Sequence, residues 1–442
     1  MHTLLSLGSS AVEARDWPAA EEAFAAARAL EDRASPAERA RAQALRAHAS
    51  YYRGAFREAL AELEGLEPRD VSATLLPWVH NTRGVIETGL AHYETALSLF
   101  RQAQECARRS GHSLAEAIGD DNIGLVRGAQ GDDQEALALI RGVAAMSEIA
   151  ADPTMLAVAL SHEATILRRA QRPEEALAPC VEAAALVTVA RDPYVALNCR
   201  ANLLFTQSLL GRPLIRDLRD VARTAAAAQL RFVALKAELY AAILAGEAGD
   251  GASCRRALGS CLPRQLELGH AHLVAQELCP RPALALAALA AIEGLSPTSG
   301  LLEVLAVHPR FGRLFQTLAA HDEELGAAAV EAAATSATDA VLTDVLALAA
   351  GLRSSRISAA AEAASTLRGV ALRRRPKATA GLTKREAQVL RLMAQGKNNA
   401  ELATELFLAP ATVKTHVNRI FTKLQVSNRV QAVLKYREGL SD

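Results

Sequence analysis

Residues 382–434 read LTKREAQVLRLMAQGKNNAELATELFLAPATVKTHVNRIFTKLQVSNRVQAVL. Its punctuation divides it into four helices. Thr383 and, three residues on, Glu386 have the spacing of a capping box, in which hydroxyl and carboxylate each take a backbone N–H of the other residue. They start a helix that Gly396 ends, because glycine tolerates a left-handed cap. Asn398 with Glu401 repeats the start signal for a short second helix to about Leu406. Pro410 opens a third, since a first-turn proline loses no hydrogen bond there. This helix runs to about Leu424, and Ser427 or Asn428 caps a fourth.

The third helix carries the chemistry. At helical spacing Val413, Val417, Ile420, Phe421 and Leu424 share one face, which must be core. Ala411, Thr415, Asn418, Arg419 and Thr422 fall opposite, with Lys414 on the flank. A short helix, a tight turn and a helix with a small, polar, cationic outer face make a helix-turn-helix, whose second helix enters the DNA major groove. Small residues let the backbone approach. Lys and Asn side chains can bond base edges, and a Thr methyl can touch a thymine methyl.

The stretch resembles the DNA-binding domain of the LuxR family of bacterial transcription regulators. The match rests on Leu382-Thr383, Arg385-Glu386, Val389-Leu390, Gly396, Asn399, Glu401, Ala403, Thr412 to Val417, Ile420, Lys423-Leu424, Val426, Arg429 and Ala432-Val433, and covers about the last sixty residues. Ala409 departs from it where the family often has a Ser cap, and Gln425 where it usually has Gly. The resemblance implies that Lys414, Thr415 and Asn418 face bases. It makes Lys397, Asn399, Thr412, Arg419, Thr422, Lys423 and Arg429 candidates for the phosphate backbone. It also implies a homodimer on double-stranded DNA, paired through the fourth helix around Ser427–Tyr436. His416 lies between the two faces with no second ligand at helical spacing, so no metal is expected.

Charge supports a nucleic-acid-binding end. The whole chain is neutral, but six of its seven lysines lie in the last 66 residues. From Arg368 onward fifteen cations face five carboxylates, a net +10, so the remaining residues carry −10. A basic module on an acidic body fits phosphate binding by one end. Half the residues are hydrophobic but only 4% aromatic, and alanine dominates. That composition favours closely packed helices over sheets. No apolar run reaches the ~18 residues of a membrane span, and no signal peptide is evident, so a cytoplasmic protein is expected. The six cysteines (Cys106, Cys180, Cys199, Cys254, Cys261, Cys279) form no C-x-x-C pair and are expected as buried small hydrophobes.

The front of the chain repeats. Gly8, Ala11, Trp17, Ala20, Phe24 and Ala27 resemble a tetratricopeptide repeat (TPR), two antiparallel helices per ~34 residues. The turn before Ala20 recurs before Ala59, Ala96, Ala136 and Ala176, with weaker echoes at Gly211–Ile215 and Gly249–Ser253. Aligned on Ala20, the units start 39, 37, 40, 40, 39 and 38 residues apart. One helix pair cannot bury its apolar face alone, so pairs stack. The alanines are expected where helices cross, with Phe24, Leu63, Phe100, Ile140 and Cys180 in the next layer. Asp152-Pro153 and Asp192-Pro193 look like equivalent helix starts. The expected fold is all-α: a TPR-like helical-repeat solenoid (1–280), a helical extension or cap (281–355), a linker (356–380) and a four-helix helix-turn-helix domain (381–442).

Chemistry of other kinds is missing from the pattern. There is no phosphate-binding G-x-x-x-x-G-K-[ST], G-x-S-x-G or H-E-x-x-H. Large LuxR-type regulators of the MalT kind are similar in joining helical repeats to this terminal module, but they also carry an ATP-binding domain, so ATP dependence is not carried over. No cofactor and no catalysis are expected. His270-Ala-His272 points two ways from a helix and makes a poor shared metal site. Two functions fit: a sequence-specific transcription regulator whose repeats sense a peptide, protein or small-molecule effector, or an interaction scaffold whose terminal module contacts protein rather than DNA.

Overall fold

An alanine at a helix crossing lets two backbones approach, and a large apolar side chain one turn on fills the space beside it. The computed structural model describes residues 1–442 except 14–15, 67, 74, 189–191, 213, 293–297, 353, 371–382, 395–396, 398, 407–409, 425, 427–430 and 434–442. Within it Ala20, Ala59, Ala96, Ala136 and Ala176 are all essentially inaccessible, and Phe24, Leu63, Phe100, Ile140 and Cys180 are buried with them. Twelve residues before each alanine stand Gly8, Ala47, Gly84, Gly124 and Ala164 on the preceding helix. A Cβ added at Gly8, Gly84 or Gly124 would lie 2.4, 2.5 or 2.9 Å from Phe24, Phe100 or Ile140. The same small-to-large fit is thus rebuilt in successive units.

All regular structure among the described residues is helical, with 25 α-helices and no strand. The first pairs are α1 (His2–Glu13) with α2 (Trp17–Arg28), α3 (Pro36–Tyr52) with α4 (Phe56–Leu63), α5 (Leu76–Gly89) with α6 (Tyr93–Arg109) and α7 (Ser113–Gln130) with α8 (Asp133–Ala144). After a single turn, α9 (Ser147–Ala150), come α10 (Pro153–Arg169) with α11 (Pro173–Leu186), α12 (Pro193–Leu209) with α13 (Ile215–Ala227) and α14 (Arg231–Glu247) with α15 (Gly251–Leu268). Then follow α16 (Ala271–Leu278), α17 (Pro282–Ile292), α18 (Thr298–Ala306), α19 (Phe311–His321), α20 (Glu323–Ser336), α21 (Asp339–Ala349) and α22 (Ser355–Arg368). The chain ends in α23 (Lys384–Ala394), α24 (Asn399–Glu405) and α25 (Pro410–Leu424). Contacts divide it into two units, Met1–Leu342 and Thr343–Asp442.

The turns explain the repeat. Gly54, Ala91, Gly131 and Gln171, each five residues before its aligned alanine, have positive φ. Ala91 and Gln171 hold there a conformation that costs a non-glycine residue roughly 1–2 kcal/mol. Asp152 and Asp192 cap α10 and α12 as the Asp-Pro pairs suggest, each accepting two backbone N–H groups. The last two turns misalign by spacing alone. Ile215 and Ser253 are half-buried, whereas the small-residue position is taken by Leu218 and Cys254, both inaccessible. Two extra residues after Gly211 displace the start of α13, whereas Cys254 keeps the regular five-residue step from the positive-φ Gly249, so Ser253 is one residue too early. All six cysteines are free and buried.

Repeats normally touch only their neighbours. Here α15 packs on α4 and α16 on α5. His270, just before α16, bonds the Gly54 carbonyl through Nε2 at 2.7 Å. Tyr93 Oη and His272 Nδ1 lie 3.1 Å apart, and Gln276 donates to the Ala129 carbonyl at 3.1 Å. His270 and His272 therefore hold two different turns rather than one shared ligand. Burial pushes His270 down to about 4, so it folds in neutral.

Two outcomes follow for the repeat unit. Gly84→Leu is expected to cost about 1–3 kcal/mol by overpacking Phe100, while Gly142→Leu, where a Cβ would meet nothing, is neutral or slightly stabilising; denaturant unfolding of the full chain separates them. Because His270 binds a proton more weakly folded than unfolded, the stability it lends is complete above pH ~6.5 and falls as pH drops toward about 4. His270→Gln is expected to flatten that acid slope, read from melts between those pH values.

Candidate nucleic-acid interface

The terminal domain is built on one core. Val389, Leu390 and Met393 from α23, Leu402 and Leu406 near α24, and Val413, Val417 and Ile420 from α25 are buried together, with Ala432 beyond them. Phe421 packs at the edge of this cluster; the Leu424 side chain lies outside those described. The helix face assigned to the core from spacing is thus the one that packs inward. Most of the expected fourth helix, with Arg429, is outside the described residues, as are the Asn398 start and Ala409.

The capping box forms with both bonds. Thr383 N–H donates to the Glu386 carboxylate at 2.7 Å, and Glu386 N–H to the Thr383 hydroxyl at 3.2 Å. The same carboxylate, almost fully buried, accepts from Lys423 Nζ at 2.7 Å. Burial alone would raise the Glu386 carboxyl, but the bonds from Lys423 and Thr383 outweigh it and hold it below the ordinary range. Glu386 therefore fixes the far end of α25 to the start of α23. Arg385 reaches from the first turn of α23 to the Leu406 carbonyl, placing a cation on an orphan acceptor at the end of α24. Nothing in the local spacing announces either tie, because the partners are 37 and 21 residues apart.

With its inner face so held, α25 turns Thr412, Lys414, Thr415, Asn418, Arg419 and Thr422 outward, all exposed. Lys414, Asn418 and Thr422 follow at four-residue steps, so they line one side of the helix. The Thr422 hydroxyl donates to the Asn418 carbonyl at 3.1 Å, which leaves its oxygen lone pairs and methyl facing out. Asn399 is exposed at the start of α24, and Lys397 is half-buried before it. Lys423 is exposed in part, with its ammonium on Glu386. His416 is half-buried, and its Nδ1 has no hydrogen-bond partner among the described residues. The arrangement presents two cations, an amide and hydroxyls on a rigid convex rod, the donor set that phosphates and base edges accept.

Glu386→Gln keeps the shape but loses the charge on both bonds. The terminal domain is expected to lose about 1–2 kcal/mol at neutral pH. Its carboxyl is held low when folded, so this difference from wild type is fully present above the unfolded carboxylate pKa and disappears as pH falls through the folded one. Melting curves of both proteins across the acid range check it.

Residues 380–436 match the family described as bacterial regulatory proteins, luxR family. Over 53 residues the chain is 53% identical to the transcriptional regulatory protein LiaR of Bacillus subtilis (strain 168), covering 12% of this chain and 25% of that protein. Over 62 residues it is 47% identical to a probable transcriptional regulatory protein NarL of Mycobacterium tuberculosis (strain ATCC 25618 / H37Rv), covering 14% and 29%. These matches span between a quarter and three tenths of the relatives' length. A crystal structure of a Rap protein complexed with competence and sporulation factor aligns over 75% of this chain and 98% of its own, at 14% identity and a TM-score of 0.49. No helix among the described residues is long and apolar enough to cross a membrane. Residues 380–436 are a LuxR-family domain, joined in this chain to a long array of paired helices.

Proposed function

We propose that the chain is a sequence-specific transcription regulator in which α25 enters the DNA major groove. The observation that carries this is the outward face of α25, polar and cationic along its length, on a helix whose other face is locked into the domain core. Lys414, Thr415 and Asn418 read base edges. Thr412, Arg419, Thr422, Lys397, Asn399 and Arg429 hold the phosphate backbone, and Lys423 divides its charge between Glu386 and a phosphate. Two copies bind half-sites about one helical turn, ~10 bp, apart. The repeat unit receives a partner or effector whose binding alters how the two terminal domains are presented. No catalytic step is assigned.

Selection of random duplexes on the full chain, followed by affinity against salt, tests this reading. A two-fold-related motif is expected. Lys414→Ala and Asn418→Ala are expected to cost about 1–3 kcal/mol each and to relax preference at particular positions. Arg419→Ala is expected to weaken all duplexes alike and to lower the salt slope by about 0.9. Recovery of a constant protein partner with no enriched duplex would favour a scaffold instead.

A further inference from the structure

The repeat unit buries a group of cations that its carboxylates do not balance. Lys236 is the one lysine before residue 377, and it is 7% exposed, on α14. Arg168 and Arg169 end α10 with side chains 2% and 11% exposed, and Arg281 follows α16. The buried carboxylate among these four cations is Glu277. It stands 3.8 Å from both Arg168 and Arg169, beyond hydrogen-bond reach, and 3.4 Å from Arg281. Burial works against its charge, but Arg168, Arg281 and Arg169 keep Glu277 below the usual carboxylate range, so it already serves as their counter-ion. Arg281 also meets Glu247 at 3.1 Å near the surface.

A purely structural role accounts for only part of this group. Arg168 lies 5.2 and 5.4 Å from the ring centres of Phe205 and Tyr240, which stack on each other. Those contacts satisfy the face of the guanidinium. Its Nη2 donates to the Tyr240 hydroxyl at 2.8 Å. The in-plane Nε and Nη1 of Arg168, Nε of Arg169 and Oε1 of Glu277 are buried with no hydrogen-bond partner among the described residues. Arg169 Nη1 is 3.2 Å from His272 Nε2, and Lys236 bonds Asn198 at 3.0 Å. A buried unpaired donor is destabilising, and a charged one more so, although the segment before residue 368 has acids in excess.

We propose that Arg168, Arg169 and Lys236 form a binding site for an anionic group, a carboxylate or a phosphate, carried by a ligand of the repeat unit. The planar forks of Arg168 and Arg169 suit two-point bonding to such an oxyanion, and Lys236 supplies a point charge. Burial and the neighbouring Arg168 and Arg169 push Lys236 down to about 7. Glu277 is the competitor the ligand must work against. The side chains of Arg169 and Arg281, 11% and 18% exposed, are the most accessible of the four cations. This site goes beyond the DNA-binding reading and does not depend on it.

The test is calorimetric titration of the full chain, without DNA, with inorganic phosphate and separately with citrate, against chloride at equal ionic strength. Saturable binding of either anion is expected; phosphate alone would identify a phosphoryl ligand and citrate alone a carboxylate. Lys236→Met and Arg169→Gln are expected to weaken it on the order of tenfold or more. Glu277→Gln, which removes the competing carboxylate, is expected to tighten it, and Lys414→Ala on α25 to leave it unchanged. The Glu277→Gln result decides the matter if the arginine variant does not fold. No saturable binding by wild type or Glu277→Gln would overturn the proposal, as would binding that is lost only in Lys414→Ala.

Discussion

Close approach of two helices at one small residue is the constraint on which the repeat unit rests. Ala96 and Gly84 have almost no side chain to keep α5 and α6 apart, and Phe100 occupies the space so created. The fit recurs in other pairs with different partners: Gly8 with Phe24 in α1 and α2, and Gly124 with Ile140 in α7 and α8. Each pair also needs its turn, and the left-handed residue of that turn is tolerated even where it is Ala91 or Gln171. Packing therefore outweighs local backbone preference in this chain. The turns are not passive either, since the carbonyls of Gly54 and Ala129 accept hydrogen bonds from His270 and Gln276.

Much of this was legible in the sequence, for a physical reason. Helical faces and crossing points are written in periodic residue size, which survives without knowledge of the fold. The core face of α25, the Thr383–Glu386 box and the buried alanines could be named from spacing alone. Even spacing misplaces the buried position of the sixth and seventh pairs, because two residues are inserted after Gly211 and because Leu218 and Cys254 are too ordinary to announce themselves. Ties between distant residues carry no local signal. Glu386 reads as a cap, and its bond to Lys423 emerges only when α23 and α25 are brought together.

The same holds more strongly for the buried charges. Arg168, Lys236 and Glu277 lie on three different helices, and in a list of residues each looks like solvated surface. Their burial raises the question of cost, since an unbalanced charge in a low-dielectric interior destabilises a fold unless something compensates it. The aromatic stack of Phe205 and Tyr240 offsets part. Side-chain bonds between successive first helices, Asn122 with Asn81, His162 with Asp121 and Asn202 with Ser161, lead along the repeats toward this group. A polar line of that kind fixes the register of one pair on the next.

The distribution of lysine has a chemical consequence. Side-chain amines are concentrated in the terminal segment, and the remaining one, Lys236, is shielded by its neighbours. Acylation removes a lysine's charge while leaving arginine untouched. An amine-directed modification, enzymatic or synthetic, would therefore strip positive charge from the proposed DNA face and leave the arginine-rich repeats as they were. The two ends of the chain are in this sense addressable by different chemistries.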